Sequence, residues 1–181
     1  MSDIRAFIAV PVDEAICAQF AEVQQRLRQA QADVSWVQTD RVHLTLKFLG
    51  NVVEEHIPPL HDALRLVAAR TAPFALTMAG VGAFPSFRRP QVLWAGVTEG
   101  MTPLAVLAGL VDEAMAAHGF PRETRPFRAH VTLGRVKSPA HAAELRALAE
   151  AYRETTFGEM AVTQLRLMRS DLSPQGARYT V

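Results

Sequence analysis

Two strings of four residues, His43-Leu44-Thr45-Leu46 and His130-Val131-Thr132-Leu133, carry the residue types in this chain that could do chemistry. Each reads His, apolar, Thr, Leu, and each sits in an alternation with the period of two that marks a half-buried strand. Residues i and i+2 of a strand point the same way. Each string therefore presents one imidazole and one hydroxyl side by side, with its Leu and Val side chains on the other face. An imidazole titrates near neutral pH, so a neutral one can take a proton while a charged one gives a proton up. Two are needed where one displacement both activates a nucleophile and protonates a leaving group. The threonine hydroxyls can donate hydrogen bonds to charge building on an oxygen. In-line displacement at phosphorus asks for this set: an attacking oxygen, a leaving oxygen opposite it, and charged equatorial oxygens that need donors. One His-x-Thr on a strand is an ordinary surface pattern. Two matching copies in a chain with six histidines point to a site, or to a duplicated structural unit that repeats its motif.

Other side chains are candidates by position. The guanidinium of Arg135 suits a pair of phosphate oxygens. Strict alternation from His130 would turn it to the face of Val131 and Leu133, so contact requires a break, which a bulge at Gly134 could supply. Lys47 shares by alternation the face of His43 and Thr45, where it would add positive charge or stand as a solvated strand-end lysine. Phe84, Pro85 and Trp94 are placed to stack a base, with core packing the competing role for Trp94. Arg88-Arg89 and Arg122, Arg125 and Arg128 fall in two loop-like segments. They form either solvated loop charge or a basic rim that steers a polyanion.

The elements that must position these groups follow from periodicity. Strands are expected at 4–10, 34–37, 42–49, 74–78, 92–97, 128–136, 159–169 and 178–181, with a turn around Thr39-Asp40 and the Gly- and Pro-rich segment 80–90 as a loop. Helices are expected at 14–30, 54–70, 103–118 and 139–152, with Asp13 as a cap and Pro103 in a first turn. The order strand, helix, strand occurs in both halves, each with one His-x-Thr strand, which suggests duplication. The expected fold is α+β: two pseudo-symmetric lobes, each a mainly antiparallel sheet with helices packed outside, around a central cleft. No linker separates the halves, so residues 1–181 are read as one domain.

Composition narrows the function classes. The 181 residues are 49% hydrophobic, enough for one sizeable core. A formal net charge of +1 is not that of a protein gripping long nucleic acid nonspecifically, and a small or terminal piece of RNA remains open. No apolar run approaches 18 residues and no signal-peptide pattern opens the chain, so a soluble cytoplasmic protein away from membranes is expected. Cys17, the single cysteine, reads as a helix residue and not as a catalytic thiol. His56 and His61 lie five apart and do not share a helix face as a metal pair would, so neither metal nor cofactor is expected. His118 and His141 read as helix-end residues. Nucleophile-elbow, phosphate-loop and dinucleotide patterns are absent from the sequence.

The paired strings resemble those of the 2H phosphoesterase superfamily. The longer strings Arg5-Ala-Phe-Ile-Ala-Val10, His43-Leu-Thr-Leu-Lys-Phe-Leu-Gly50, Gly80-Val-Gly-Ala-Phe-Pro85, Leu93-Trp-Ala-Gly96 and His130-Val-Thr-Leu-Gly-Arg135 resemble its RNA 2′,3′-cyclic phosphodiesterase (2′-5′ RNA ligase, LigT-like) branch. A closing Ser170-Asp-Leu-Ser-Pro-Gln-Gly176 is similar too. One departure is Ala129, where the family usually has Pro. The resemblance implies a metal-independent hydrolase that opens a 2′,3′-cyclic phosphate at an RNA end, or a cyclic nucleotide, to a 2′-phosphomonoester, with reverse 2′-5′ ligation as a side activity. In that reading His130 is the base and His43 the acid, roles the residues themselves leave interchangeable. Thr45 and Thr132 would hold the nonbridging oxygens and Arg135 would add charge; Phe84 and Lys47, by their position alone, are further candidate substrate contacts. A monomer with no obligatory protein partner is expected. The alternative is an RNA-end or nucleotide binding module that turns nothing over.

Overall fold

The computed structural model describes residues 3–174 and 176–181, and its organising strand is β1 (Asp3–Pro11). Ala6, Ile8 and Val10 join the main core, while Phe7 and Ala9 pack on the other face with Met168. A strand buried on both faces must sit inside a sheet. β1 pairs with β3 (His43–Val53) on one side and β8 (Arg166–Ser173) on the other, and β9 (Gly176–Thr180) completes the order β3-β1-β8-β9. The second sheet has the order β2-β6-β5-β4-β7, built from Val34–Trp36, His130–Val136, Val92–Glu99, Phe74–Phe84 and Thr156–Val162. All of these pairings are antiparallel. The fold is α+β, as expected.

Four helices cover the sheets. α1 (Glu14–Leu27) buries Ile16, Phe20, Val23 and Leu27, spaced as one helical stripe, and packs on β7 and α4 (Ala142–Glu150). α2 (Ile57–Ala69) packs on α3 (Met101–Ala116), which lies on β3. One continuous core draws side chains from both sheets and all four helices. Burying its large side chains contributes about 1.5–3 kcal/mol each. No helix among the described residues is long and apolar enough to cross a membrane.

Two expectations fail for physical reasons. The segment 80–84, expected as loop, continues β4 to Phe84. Its glycines answer local demands: Gly80 takes φ +81° where the ladder slips between Ala79 and Val81, and a Cβ on Gly82 would overlap the Trp94 ring. The single strand expected at 159–169 is two. β7 ends at Val162 and pairs with β4, whereas β8 starts at Arg166 and pairs with β1 in the other sheet. Alternation registers strand character but not a change of sheet. Gln175, in the closing segment, lies outside the described residues.

Candidate active site

Both motif strings lie on strands and alternate as their sequence predicts. Leu44, Leu46, Val131 and Leu133 are buried in the core, while His43, Thr45, His130 and Thr132 are half-buried. β3 is an edge of the first sheet, β6 lies inside the second, and the two approach one another across the sheets. The rings are held by the same device. His43 Nδ1 lies 2.9 Å from the Arg41 carbonyl and His130 Nδ1 lies 2.7 Å from the Arg128 carbonyl. A carbonyl only accepts, so Nδ1 carries a proton in both rings and the neutral ring keeps its lone pair on Nε2, free to act. Arg41 and Arg128 each stand two residues before their His, so the repeat is longer than four residues: Arg-x-His-x-Thr-Leu. Ala129 does not disturb this anchor.

The ladders explain where the next side chains go. In β6, Thr132 pairs with Trp94 and Gly134 with the next residue, Leu93, so Leu133 is an extra, bulged residue. Beyond it Arg135 pairs with Val92, which shares a face with Trp94. The bulge thus returns exposed Arg135 to the face of His130 and Thr132. The carbonyl of Leu133 is secured: Gln24, buried on α1, donates Nε2 to Leu133 O at 2.9 Å and to Val37 O at 2.8 Å. The Val37 N–H also donates to Leu133 O. Sequence reasoning missed Gln24, whose only signal was an amide inside an apolar helical stripe.

β3 repeats the bulge with the opposite result for Lys47. Thr45 pairs with Ala9 and Lys47 with Ile8, leaving Leu46 extra. Ile8 faces the core, so Lys47 does too, contrary to the expectation that it shares the His43 face. There its ammonium donates to Asp112 Oδ1 at 2.6 Å and to the Pro121 carbonyl at 2.8 Å. Asp112 also accepts from the Glu123 N–H at 3.0 Å and has Arg122 at 3.5 Å. Burial works to raise the Asp112 pKa, but the Lys47 and Glu123 hydrogen bonds and the two cationic charges outweigh it and hold it below its ordinary value. Phe48, 72% exposed and 6.1 Å from the Phe7 ring, takes the place in β3 that Arg135 has in β6.

Aromatic rings back both imidazoles. Phe84 meets His130 edge-on at 5.2 Å and tilts on Trp94 at the same distance. Phe84 and Trp94 are half-buried on the His130 side and outside the main core. His43 stands edge-on to Phe7 at 6.1 Å and Tyr179 at 5.9 Å. Arg166 pairs with Ala9 from the side opposite Thr45, which puts a guanidinium on this face. Burial lowers the His43 pKa below its ordinary value; the bond to the Arg41 carbonyl opposes that and the Arg166 charge adds to it. His43 and Arg166 line a pocket of about 620 Å³ that also reaches Asp13, Asp40 and Cys17. The described residues contain no group of three or more His, Cys, Asp or Glu able to hold a metal ion.

The family model described as LigT like Phosphoesterase matches the chain twice, over residues 10–94 and 96–179. The chain belongs to the LigT-like phosphoesterase family. Each matched span holds one of the anchored His/Thr pairs, so the duplication seen in the strings extends over both halves. The chain is 37% identical over 176 residues to the RNA 2′,3′-cyclic phosphodiesterase of Archaeoglobus fulgidus, covering 97% of this chain and 96% of that one. Among solved structures, TT0787 of Thermus thermophilus superposes with a TM-score of 0.75 at 30% identity, covering 98% and 94% of the two chains. Escherichia coli LigT complexed with 3′-AMP does so with a TM-score of 0.73 at 28% identity, covering 99% and 95%.

Proposed function

We propose that this protein hydrolyses the 2′,3′-cyclic phosphate at an RNA end, or of a cyclic nucleotide, to a 2′-phosphomonoester. The observation that carries the reading is the duplicated pair of imidazoles, each with Nδ1 fixed on a backbone carbonyl and Nε2 left free. A module that only bound nucleotides would have no use for two such proton-transfer groups. The names of the full-length relatives support the same activity.

His130 Nε2 takes a proton from water as its oxygen bonds to phosphorus. The bond from phosphorus to O3′ breaks, and His43 delivers its Nε2 proton to O3′, leaving a 3′-hydroxyl and a 2′-phosphate. The Thr45 and Thr132 hydroxyls donate to the nonbridging oxygens, and Arg135 adds positive charge as negative charge develops there. A general acid must start protonated, and burial with Arg166 works against that at His43. The anionic phosphate bound beside it works in the other direction. Phe84 supports the His130 ring and offers its free face to a base. With a 5′-hydroxyl end in place of water, the reverse course forms a 2′-5′ linkage. One chain supplies both pairs, which fits a monomer needing no protein partner, and the single free Cys17 fits the reducing cytoplasm.

The test is turnover of a 2′,3′-cyclic nucleotide in the presence of EDTA. His43→Ala and His130→Ala should each lower kcat by about two to four orders of magnitude, with the 2′-phosphate as the wild-type product. Wild-type rates in either variant would overturn the mechanism.

A further inference from the structure

Resting on that reading, we propose that a second anion subsite, formed by Arg88, Arg89 and Lys137 beside Arg135, holds the phosphodiester that joins the terminal nucleotide to the rest of the RNA. On the His130 face of the second sheet the pairs run Gly96 with His130, Trp94 with Thr132, and Val92 with Arg135. The bulged Leu133 adds no length to the ladder, so Arg135 lies two partner-strand residues, roughly 7 Å at about 3.3 Å per residue, beyond Thr132. There a pocket of about 650 Å³ opens between the 88–91 loop and residues 136–139, lined by Arg88, Arg89, Arg135, Lys137 and Ser138 and by no acidic residue. All four cationic residues line this one concavity, and none has an ion-pair partner among the described residues. Four like charges converging on one concavity repel one another, and this arrangement is favourable when an anion sits among them.

The chemistry of the substrate says which anion. A nucleotide ending in a 2′,3′-cyclic phosphate has both ribose hydroxyls engaged, so the chain continues only through O5′. The nearest further phosphate is the one on that oxygen, and a free cyclic nucleoside phosphate lacks it. A groove of cations that follows the backbone is how single strands are held without regard to sequence. The chain's net charge of +1 then reflects a local cationic track and not a generally basic surface.

The test compares three substrates on the wild type and on the triple variant Arg88→Ala/Arg89→Ala/Lys137→Ala: a cyclic nucleoside phosphate, the same compound with a 5′-phosphate, and a dinucleotide with a cyclic end. The wild type should prefer the dinucleotide over the unsubstituted compound by about ten- to a hundredfold in kcat/KM, carried by KM. The variant should lose that preference and keep wild-type kinetics on the unsubstituted compound, which also reports its folding. An equal gain from the 5′-phosphorylated mononucleotide would mark a terminal-phosphate site and overturn the phosphodiester assignment. Equal kcat/KM for all three substrates in the wild type, or a preference the variant retains, would overturn the subsite while leaving the hydrolase. Turnover of none of them would overturn the hydrolase itself and the subsite with it.

Discussion

Replacing Lys47 by Met tests whether this lysine serves the architecture and not the cleft. The change keeps the length of the aliphatic stem and removes only the ammonium that bridges Asp112 and the Pro121 carbonyl. Breaking a buried pair by removing one partner costs about 3–5 kcal/mol, because the other charge is left uncompensated. Asp112 retains 15% of its side-chain exposure, the Glu123 N–H and Arg122, which brings the expected loss to about 2–3 kcal/mol. In a chain of this size that is a fall in melting temperature of about 4–12 °C. Lys47→Met/Asp112→Leu, which removes both charges, should recover most of the loss. pH adds a sign. The folded state holds Asp112 below its unfolded pKa, so the stability it contributes is complete above that unfolded value of about 3.9 and is lost as pH falls through the folded one. The gap between wild type and Lys47→Met should therefore narrow below about pH 4. Urea unfolding across pH 3–7 is the assay. A variant within 1 kcal/mol of wild type at neutral pH, or a gap that widens in acid, would refute the reasoning.

Three further outcomes are expected. Gly82→Ala drives a methyl group into the Trp94 ring, which tilts on Phe84 and through it on His130. It should cost about 1–3 kcal/mol and lower turnover, and unchanged melting with unchanged rate would contradict the contact chain. Gln24→Leu leaves the Val37 carbonyl without its side-chain donor and weakens the hold on Leu133. A loss of about 1–3 kcal/mol by urea titration, with a raised KM as Arg135 loses its bearing, is the expected pair, and either one missing speaks against the bulge. One limb of the kcat/KM profile titrates with His43 in the free enzyme and should lie below the ordinary imidazole value of about 6.5. Arg166→Gln removes a charge that lowers the His43 pKa and should move that limb to higher pH. A limb that stays or falls would show that another group titrates there.

Local patterns made much of this molecule legible. The period of two around His43 and His130 placed both strands, and the 3.6 period placed all four helices, because each signal is carried by neighbours in the chain. Arg135 was legible only with a break in alternation, and the break came at Leu133, one residue before the glycine that suggested it. Lys47 was misread because the same break sits unannounced at Leu46: nothing in His-Leu-Thr-Leu-Lys says that one leucine is extra, since a bulge is set by the partner strand. Gln24, Phe7, Tyr179 and Arg166 were invisible for a related reason. Each reaches the site from an element far away in sequence, and only the sheet order brings them together.

The strand order also bears on how such a molecule can come apart. The family match divides at residue 95, within β5, yet β2 and β4 from the first half sit in the second sheet and β8 and β9 from the second half close the first. A cut at that seam would strip β1 of one neighbour and β6 of another, baring long rows of unpaired amides. The boundary of the family match and the physical join between the sheets do not coincide. Neither half retains a complete sheet, and the two histidines are held in register by strands exchanged like clasped fingers and not by a hinge.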